Sequence, residues 1–478
     1  MGMILAMDLG STNWKAAVFD RRGRMLGLSR MPSPMITAEG QSCFDAEALP
    51  GHLEGMLSSL GRDLISRVSA VALTGMAESG GLVDTSSLTP RTEIRAWWDG
   101  RSLPIFDATR GMAAFDRRYE ATGLPDSFKY GIYKILALRS AGADLKNACF
   151  LGVAEQACMR LTGRLAIDPT LAARTGAYGL RSGTWDEAFL QRLALPPSLF
   201  PNLVPTGSAA GSVPDRSFGL NPGTPVCICG HDHVCAAYGA GALQSGSVML
   251  SMGTAQVMIT SKSTFDAADL STGLSFGPGP GDVPFTCLGS IQAAGGSINY
   301  WKKLLFPNAD YAEWIAQAEE APLPTSLTWL PYLGGSGAPH LDPHAPSALL
   351  GMKADTGPGD ILAAVYEGIA METRFVLERM GKAKSLICIG GLSRLERLMR
   401  ILTAVTGASI MIPQTEEGTL YGAARLAAEN ALGEQAFPAM PAGRSLRPDP
   451  ALQAAYERKY RSTYLPLMQS VLTHQGVI

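Results

Sequence analysis

The sequence predicts an α/β protein built from two related halves. Strand-type and helix-type hydrophobic patterns alternate along its 478 residues, as they do when helices cover a sheet. A strand–Gly/Thr tip–strand unit near the N-terminus recurs in the middle of the chain. Only 17% of residues are charged while 46% are hydrophobic, which suits nearly apolar strands and packed helices.

The opening is a meander. Met3 to Met7 is an apolar run of buried-strand type, Asp8-Leu9-Gly10-Ser11-Thr12-Asn13 turns, and Trp14 to Asp20 returns. Arg21 to Arg24 makes the next turn and Met25 to Arg30 a third strand. Leu49 to Ile65 reads as helix, and Val68 to Thr74 as a strand ending at Gly75. The second copy has strand Gly246 to Met252, tip Gly253-Thr254 and strand Ala255 to Thr260. A boundary near Ala242 to Gly246 divides the chain into residues 1–243 and 244–478. Phe276 to Pro284 and Pro331 to Pro343 are Gly/Pro-rich and read as loops. Ser385 to Ile389 is a buried strand with Gly390-Gly391 at its end, followed by a helix from Arg394 to Thr406 that Gly407 closes.

At about 150 residues per domain the length allows two large domains or three average ones. Lys plus Arg total 40 and Asp plus Glu 42, a net charge of −2. This balance excludes electrostatic binding to nucleic acid or to an anionic membrane. Eight cysteines are too few for a disulfide scaffold. No window reaches the roughly 18 apolar residues of a membrane span, and the apolar run before Asp8 is shorter than a signal peptide's core. The expected location is the cytoplasm.

Three glycine-bearing turns follow apolar strands: Asp8 to Thr12, Gly253-Thr254 and Gly390-Gly391. Backbone N–H groups at such turns can approach phosphate oxygens closely. Neither a Walker A loop nor a Gly-x-Gly-x-x-Gly after the first strand occurs. Asp8 and Asp232 each end a strand on a Gly-containing segment. Phosphoryl transfer needs Mg²⁺ to neutralise phosphate oxygens and a base for the attacking hydroxyl, roles that suit Asp8 and Asp232 respectively. Taken alone, Asp232 also suits a cap on a helix from Val234 to Gly241. His231 and His233, with Cys235 or Cys229, raise a zinc reading, although the spacing fits no standard zinc pattern. His340 and His344 lie between prolines and read as loop residues.

In order along the chain, the pieces resemble the FGGY family of carbohydrate kinases. Asp8-Leu9-Gly10-Ser11-Thr12-Asn13-Trp14-Lys15 resembles its first phosphate motif and Trp97-Trp98-Asp99-Gly100-Arg101 its Trp-x-Asp-x-Arg segment. Gly230-His231-Asp232-His233 falls where that family keeps its catalytic aspartate, and Ser251 to Thr254 resembles the second phosphate motif. Tyr332 to His340 is similar to the Gly-Glu-Arg-x-Pro loop, Gly390 to Ser393 to the adenosine motif, and Glu417 to Ala424 to the final Leu-Gly-Ala-Ala helix start.

The resemblance implies two ribonuclease-H-like, actin-like ATPase domains flanking a central cleft, with ATP and Mg²⁺ as cofactors. Asp232 would deprotonate a hydroxyl of a small sugar or polyol, and Asp8 would hold the metal. Gly10, Ser11, Thr12 and Lys15 would lie near the transferred phosphate, and Gly253 and Thr254 near other phosphates. Gly390, Gly391 and Ser393 would border the adenosine, with Gly295 and Gly296 in the neighbouring wall. Glu78, where xylulokinases usually carry a histidine, would accept hydroxyl hydrogen bonds, which suits a neutral substrate. Trp97 would wall the pocket and Asp99 bind hydroxyls, unless Asp99 only pairs with Arg101. A homodimer is the assembly such relatives suggest. Two alternatives stay open: a catalytically silent actin-like binding protein and a zinc hydrolase centred on His231 and His233.

Overall fold

The computed structural model describes residues 2–243, 246–381, 383–415, 417–433 and 438–474. The expected boundary between 243 and 244 falls at residues 244–245, outside the described residues.

The first sheet comprises β1 (Met3–Leu9), β2 (Asn13–Phe19), β3 (Met25–Pro32), β4 (Val68–Gly75), β5 (Ala209–Ser212) and β6 (Pro225–His231), in the order β5-β6-β4-β1-β2-β3. Helices α1 (Leu49–Leu60), α2 (Gly131–Ser140), α3 (Val153–Thr162), α4 (Pro169–Ala173) and α5 (Asp232–Gly239) accompany it. The second sheet comprises β7 (Ser247–Met252), β8 (Gln256–Lys262), β9 (Ser275–Pro278), β10 (Phe285–Ile291), β11 (Ser385–Ile389), β12 (Ser409–Pro413) and β13 (Ala442–Leu446), in the order β9-β10-β8-β7-β11-β12-β13. Its helices are α6 (Gly295–Leu305), α7 (Pro358–Met380), α8 (Glu396–Thr406), α9 (Gly418–Ala431), α10 (Pro450–Lys459) and α11 (Leu465–His474).

The two sheets repeat one plan. In the first, β1, β2 and β3 pair antiparallel, β4 and β6 add parallel on the other side of β1, and β5 closes the edge antiparallel. In the second, β7, β8 and β10 take the antiparallel places, β11 and β12 the parallel ones, and β13 the edge. The repeated hairpin expected from the sequence is therefore β1–β2 and β7–β8. Strands β1 and β7 are central and covered on both faces, so residues 3–7 and 248–250 are apolar and buried without alternation.

Between the sheets lies a shared core. Ile4 and Ala6 of β1, Cys227 and Cys229 of β6, Met249 of β7 and Ile387 and Ile389 of β11 enclose the apolar faces of α5 and α9. The two helices cross at glycines. A Cβ on Gly422 would lie 1.8 Å from the Cys235 carbonyl oxygen, and one on Gly239 would lie 2.7 Å from the Gly422 nitrogen. Backbone on both sides leaves no room to yield, so Gly422→Ala is expected to cost at least the roughly 1–3 kcal/mol of ordinary overpacking. A thermal melt reads this directly; an unchanged Tm would show that the crossing is loose.

Several local expectations need correction. The helix expected over Leu49 to Ile65 breaks at Gly61, whose φ of 89° ends α1 and leaves a short turn at Arg62–Ile65. Part of the Phe276–Pro284 loop belongs to β9, because buried Phe276 pairs with Cys287 and gives the sheet one more strand. A 3₁₀ turn, Gly391–Arg394, precedes α8, which starts at Glu396. Strand β1 runs through Asp8 to Leu9, so Asp8 is a strand residue and not part of the turn.

Candidate active site

Register brings the two carboxylates singled out in the sequence to one end of the first sheet. Asp8 of β1 and Gly230 of β6 both sit opposite Thr74 of β4. The chain leaves β6 at His231 and enters α5 at Asp232. Ligands in open α/β sheets bind beyond the carboxyl ends of parallel strands, which is where these groups lie. Gly230 holds a φ of 104°, and a Cβ there would come within 2.2 Å of Thr170 Oγ1. That hydroxyl accepts from the His231 backbone N–H at 2.8 Å. Asp168, fully buried, accepts from Thr206 Oγ1 at 2.7 Å and from the backbone of Thr170 and Leu171. The β6 end is thus fixed from below by α4.

A cavity of about 340 Å³ opens here between the two domains. The first domain supplies Ser11, Glu78, Trp97, Lys129, Arg174, His231, Asp232 and His233, and the second Ala255, Ser290, Gln292 and Ala338. Glu78 sits in the left-handed region at φ 63°, unusual for a residue with a side chain. Its carboxylate is held by Arg174, with Nε donating at 2.9 Å. Burial pushes the Glu78 carboxyl upward, but Arg174 and Lys129 outweigh it and keep it below its usual range. Lys129 lies 4.9 Å from the Trp97 ring centroid, so the ring is walled by a cation on one side and by Trp98, edge-on at 5.0 Å, on another. Lys134 is fully buried, donates to the Lys129 carbonyl at 2.6 Å, and is pushed down to about 7 by burial.

Asp232 accepts from its neighbour's backbone, His233 N–H to Oδ1 at 2.6 Å, and His231 Nε2 lies 3.2 Å from the same oxygen. Burial and the nearby Glu78 charge raise its pKa, against the pull of His233. Helix α5 begins at Asp232 itself, so the expected cap position belongs to His231. Asp8 is pushed up to about 8 by burial, by Asp232 and by Glu417, with Lys15 opposing. Its Oδ1 is buried with no hydrogen-bond partner among the described residues. An orphaned carboxylate oxygen beside two further carboxylates fits a hard divalent cation such as Mg²⁺.

The remaining sequence candidates divide by position. Gly253 and Thr254 form the exposed β7–β8 tip, and their carbonyls accept from the N–H groups of Gly295 and Gly296 at the start of α6, each at 3.0 Å. Gly390, φ 92°, packs against the Met252 backbone, where a Cβ would meet oxygen at 2.6 Å. Ser393 donates to the Gly390 carbonyl at 2.7 Å, and Gly391 is exposed. These residues gather at one end of the second sheet. Lys15 is engaged by Glu417 at 2.7 Å, which also holds Arg30 at 2.8 Å, tying the β2–β3 hairpin to the start of α9. Asp99 does not line the cavity. It is fully buried and bound by Arg101, whose Nη2 lies 2.6 Å away. The cysteines expected near a zinc centre are also elsewhere: Cys235 Sγ donates to the Cys229 carbonyl in the core.

Sequence reasoning missed Arg174, Lys129 and Gln292 and gave Glu417 no role at the site. Arg174 meets Glu78 across 96 residues of chain, a pairing that no local motif announces.

Two copies of one sheet topology, crossed central helices and a cleft between the domains constitute the actin-like ATPase fold. The chain belongs to the FGGY family of carbohydrate kinases: residues 3–239 match the family's N-terminal domain and residues 248–431 its C-terminal domain. It is similar to a glycerol kinase of Trichlorobacter lovleyi, 28% identical over 459 residues, covering 89% of this chain and 90% of that protein. An apulose kinase of Pectobacterium atrosepticum is 27% identical over 449 residues, covering 89% and 88%. Among solved structures, ligand-bound xylulose kinase from Lactobacillus acidophilus superposes with a TM-score of 0.89 at 22% identity, covering 100% of this chain and 99% of that one. Plasmodium falciparum glycerol kinase with ADP gives 0.88 at 18% identity, covering 98% of each chain. The protein is a carbohydrate kinase, of a family that uses ATP to phosphorylate small sugars or polyols. Among the described residues no helix is long and apolar enough to cross a membrane.

Proposed function

We propose that this kinase transfers the γ-phosphate of ATP to a hydroxyl of a ketopentose such as xylulose, or of a related polyol, with Asp232 as general base and Mg²⁺ held at Asp8. The observation that carries this reading is the placement of Asp232 in the wall of the interdomain cavity, next to the carboxylate end of β1. A sugar hydroxyl entering the cavity would give its proton to the free Asp232 carboxylate oxygen as phosphorus is attacked. Trp97 offers an apolar face to the carbon skeleton, while Glu78 accepts and Arg174 donates hydrogen bonds to hydroxyls further in. Bound Mg²⁺ would supply charge neutralisation on the phosphate oxygens. The glycine-lined surface around Gly253, Gly295 and Gly390 would line the nucleotide. Closure of the domains would exclude water, protecting ATP from hydrolysis. The boundary at 243/244, a homodimer and a cytoplasmic location belong to the same reading.

The test is ADP release with Mg-ATP across a panel of ketoses, aldoses, polyols and sugar acids. One neutral ketose or polyol is expected to stimulate turnover, to about 1–100 s⁻¹. Stimulation by a sugar acid alone would overturn the substrate class, and ATP binding without stimulation by any compound would favour a silent relative. On the preferred substrate, Glu78→Gln is expected to raise KM about 10–100-fold, the weight of hydrogen bonds to a charged group, with a smaller change in kcat. An unchanged KM would remove Glu78 from the substrate.

A further inference from the structure

The cavity also gathers a donor set that phosphoryl transfer does not need. His231, Asp232 and His233 each offer a ligand atom, and these atoms all lie within 4.8 Å of one another. His231 Nε2 is 3.2 Å and His233 Nε2 is 4.0 Å from Asp232 Oδ1. Metal bonds of about 2.0–2.1 Å place neighbouring tetrahedral ligands about 3.3 Å apart, so small side-chain rotations bring all three donors onto one ion. The three residues line the cavity, which leaves an open side for a water or a substrate hydroxyl as fourth ligand. The backbone explains the convergence. His231 is extended, φ −62° and ψ 131°, while Asp232 and His233 have entered α5, so three consecutive side chains turn toward the same space. The two rings stand edge-to-face with centroids 5.2 Å apart.

We propose that His231, Asp232 and His233 form an inhibitory site for a borderline transition-metal ion such as Zn²⁺, distinct in chemistry from the Mg²⁺ position at Asp8. Two imidazoles and one carboxylate are ligands that Zn²⁺, Ni²⁺ or Cu²⁺ prefer, whereas Mg²⁺ prefers oxygen ligands throughout. An ion bound here takes the carboxylate that the proposed mechanism assigns as base. The inhibition therefore rests on that reading, whereas the binding does not. Such an ion blocks the hydroxyl's proton acceptor and fills the sugar end of the cavity, so inhibition competes with sugar and not with ATP.

Calorimetric titration with Zn²⁺ alone, without nucleotide, tests the site independently of catalysis. Wild-type protein is expected to bind one ion at this site, and Co²⁺ in its place to show the visible bands of a low-coordinate N/O complex. His233→Gln is expected to weaken binding by at least the roughly 10–100-fold seen on losing a metal site's outer-shell partner. The double variant His231→Asn/His233→Gln is expected to abolish it. Circular dichroism melts of each variant establish that the fold is kept. Sugar-kinase activity, assayed with saturating Mg-ATP, should fall with added Zn²⁺, recover with sugar or a zinc-selective chelator, and lose this sensitivity in folded His233→Gln. Equal Zn²⁺ affinity in the folded double variant, or no binding by wild type, would overturn the proposal. Binding without inhibition would leave the metal site standing and remove Asp232 as base.

Discussion

Asp232→Asn is expected to lower kcat by about 10²–10⁴, the usual contribution of a positioned base, while sugar and ATP still bind. Asn keeps the shape and can still accept the His233 N–H, so cavity geometry and folding are preserved and the change isolates proton acceptance. The pH dependence follows from the same carboxylate. Burial and Glu78 raise its pKa, and only its ionised form accepts a proton. The rate in wild type should therefore climb with pH along an acid limb placed above the ordinary aspartate range. Rapid-quench or coupled-assay rates from acid to neutral pH check this. Full activity in the Asn variant would show that another group takes the proton.

The second large effect concerns Asp8, where activity and stability are expected to part. Its pKa rises from 3.8 to about 8 in the folded chain, so the folded state holds a proton that the unfolded chain has released across that interval. Stability from protonated Asp8 is full below about pH 4 and is lost as pH rises through about 8. In chelator-treated protein, Tm should fall toward alkaline pH. Mg²⁺ added at pH near 8 should restore it, because an ion that binds only the folded, ionised site stabilises it. Asp8→Asn removes the repulsion with Asp232 and Glu417, flattens the pH profile and is expected to raise Tm at that pH by roughly 2–4 °C. The same variant should lose kinase turnover by orders of magnitude. A destabilised variant with its pH profile unaltered would show that Asp8 is not the titrating group.

Much of this was legible in the sequence because the informative signals are local. An apolar run ending in Asp8-Leu9-Gly10, and its echo at Ser251-Met252-Gly253, report two equivalent hairpins without any long-range knowledge. Gly230 and Gly390 each mark a strand end where a Cβ would not fit, against Thr170 Oγ1 in one case and the Met252 backbone in the other. What stayed hidden depends on pairing between distant segments. Glu78 reads as a hydroxyl acceptor, but nothing near it in sequence announces Arg174, 96 residues away, as the group that holds it. The Asp99–Arg101 pair, two residues apart, is by contrast among the readings the sequence offers. Glu417 stood in a helix-start motif, yet its role in holding Lys15 and Arg30 exists only once α9 crosses to the other domain. Phe276 sits among glycines and prolines, and only the neighbouring β10 makes it a strand.

The exchange of α9 has a consequence for how the chain can be divided. Leu420, Ala423, Ala424 and Ala427 of this helix share one core with Ile4 and Ala6 of the first strand, so the halves defined by sheet topology are not autonomous folding units. A fragment ending at Leu243 would expose the apolar surface that α9 covers, and its counterpart would carry an apolar helix with nothing to pack against. Expressed apart, each should be insoluble. Expressed together, they should reassemble by fragment complementation, with the glycine crossing of Gly239 and Gly422 as the seam.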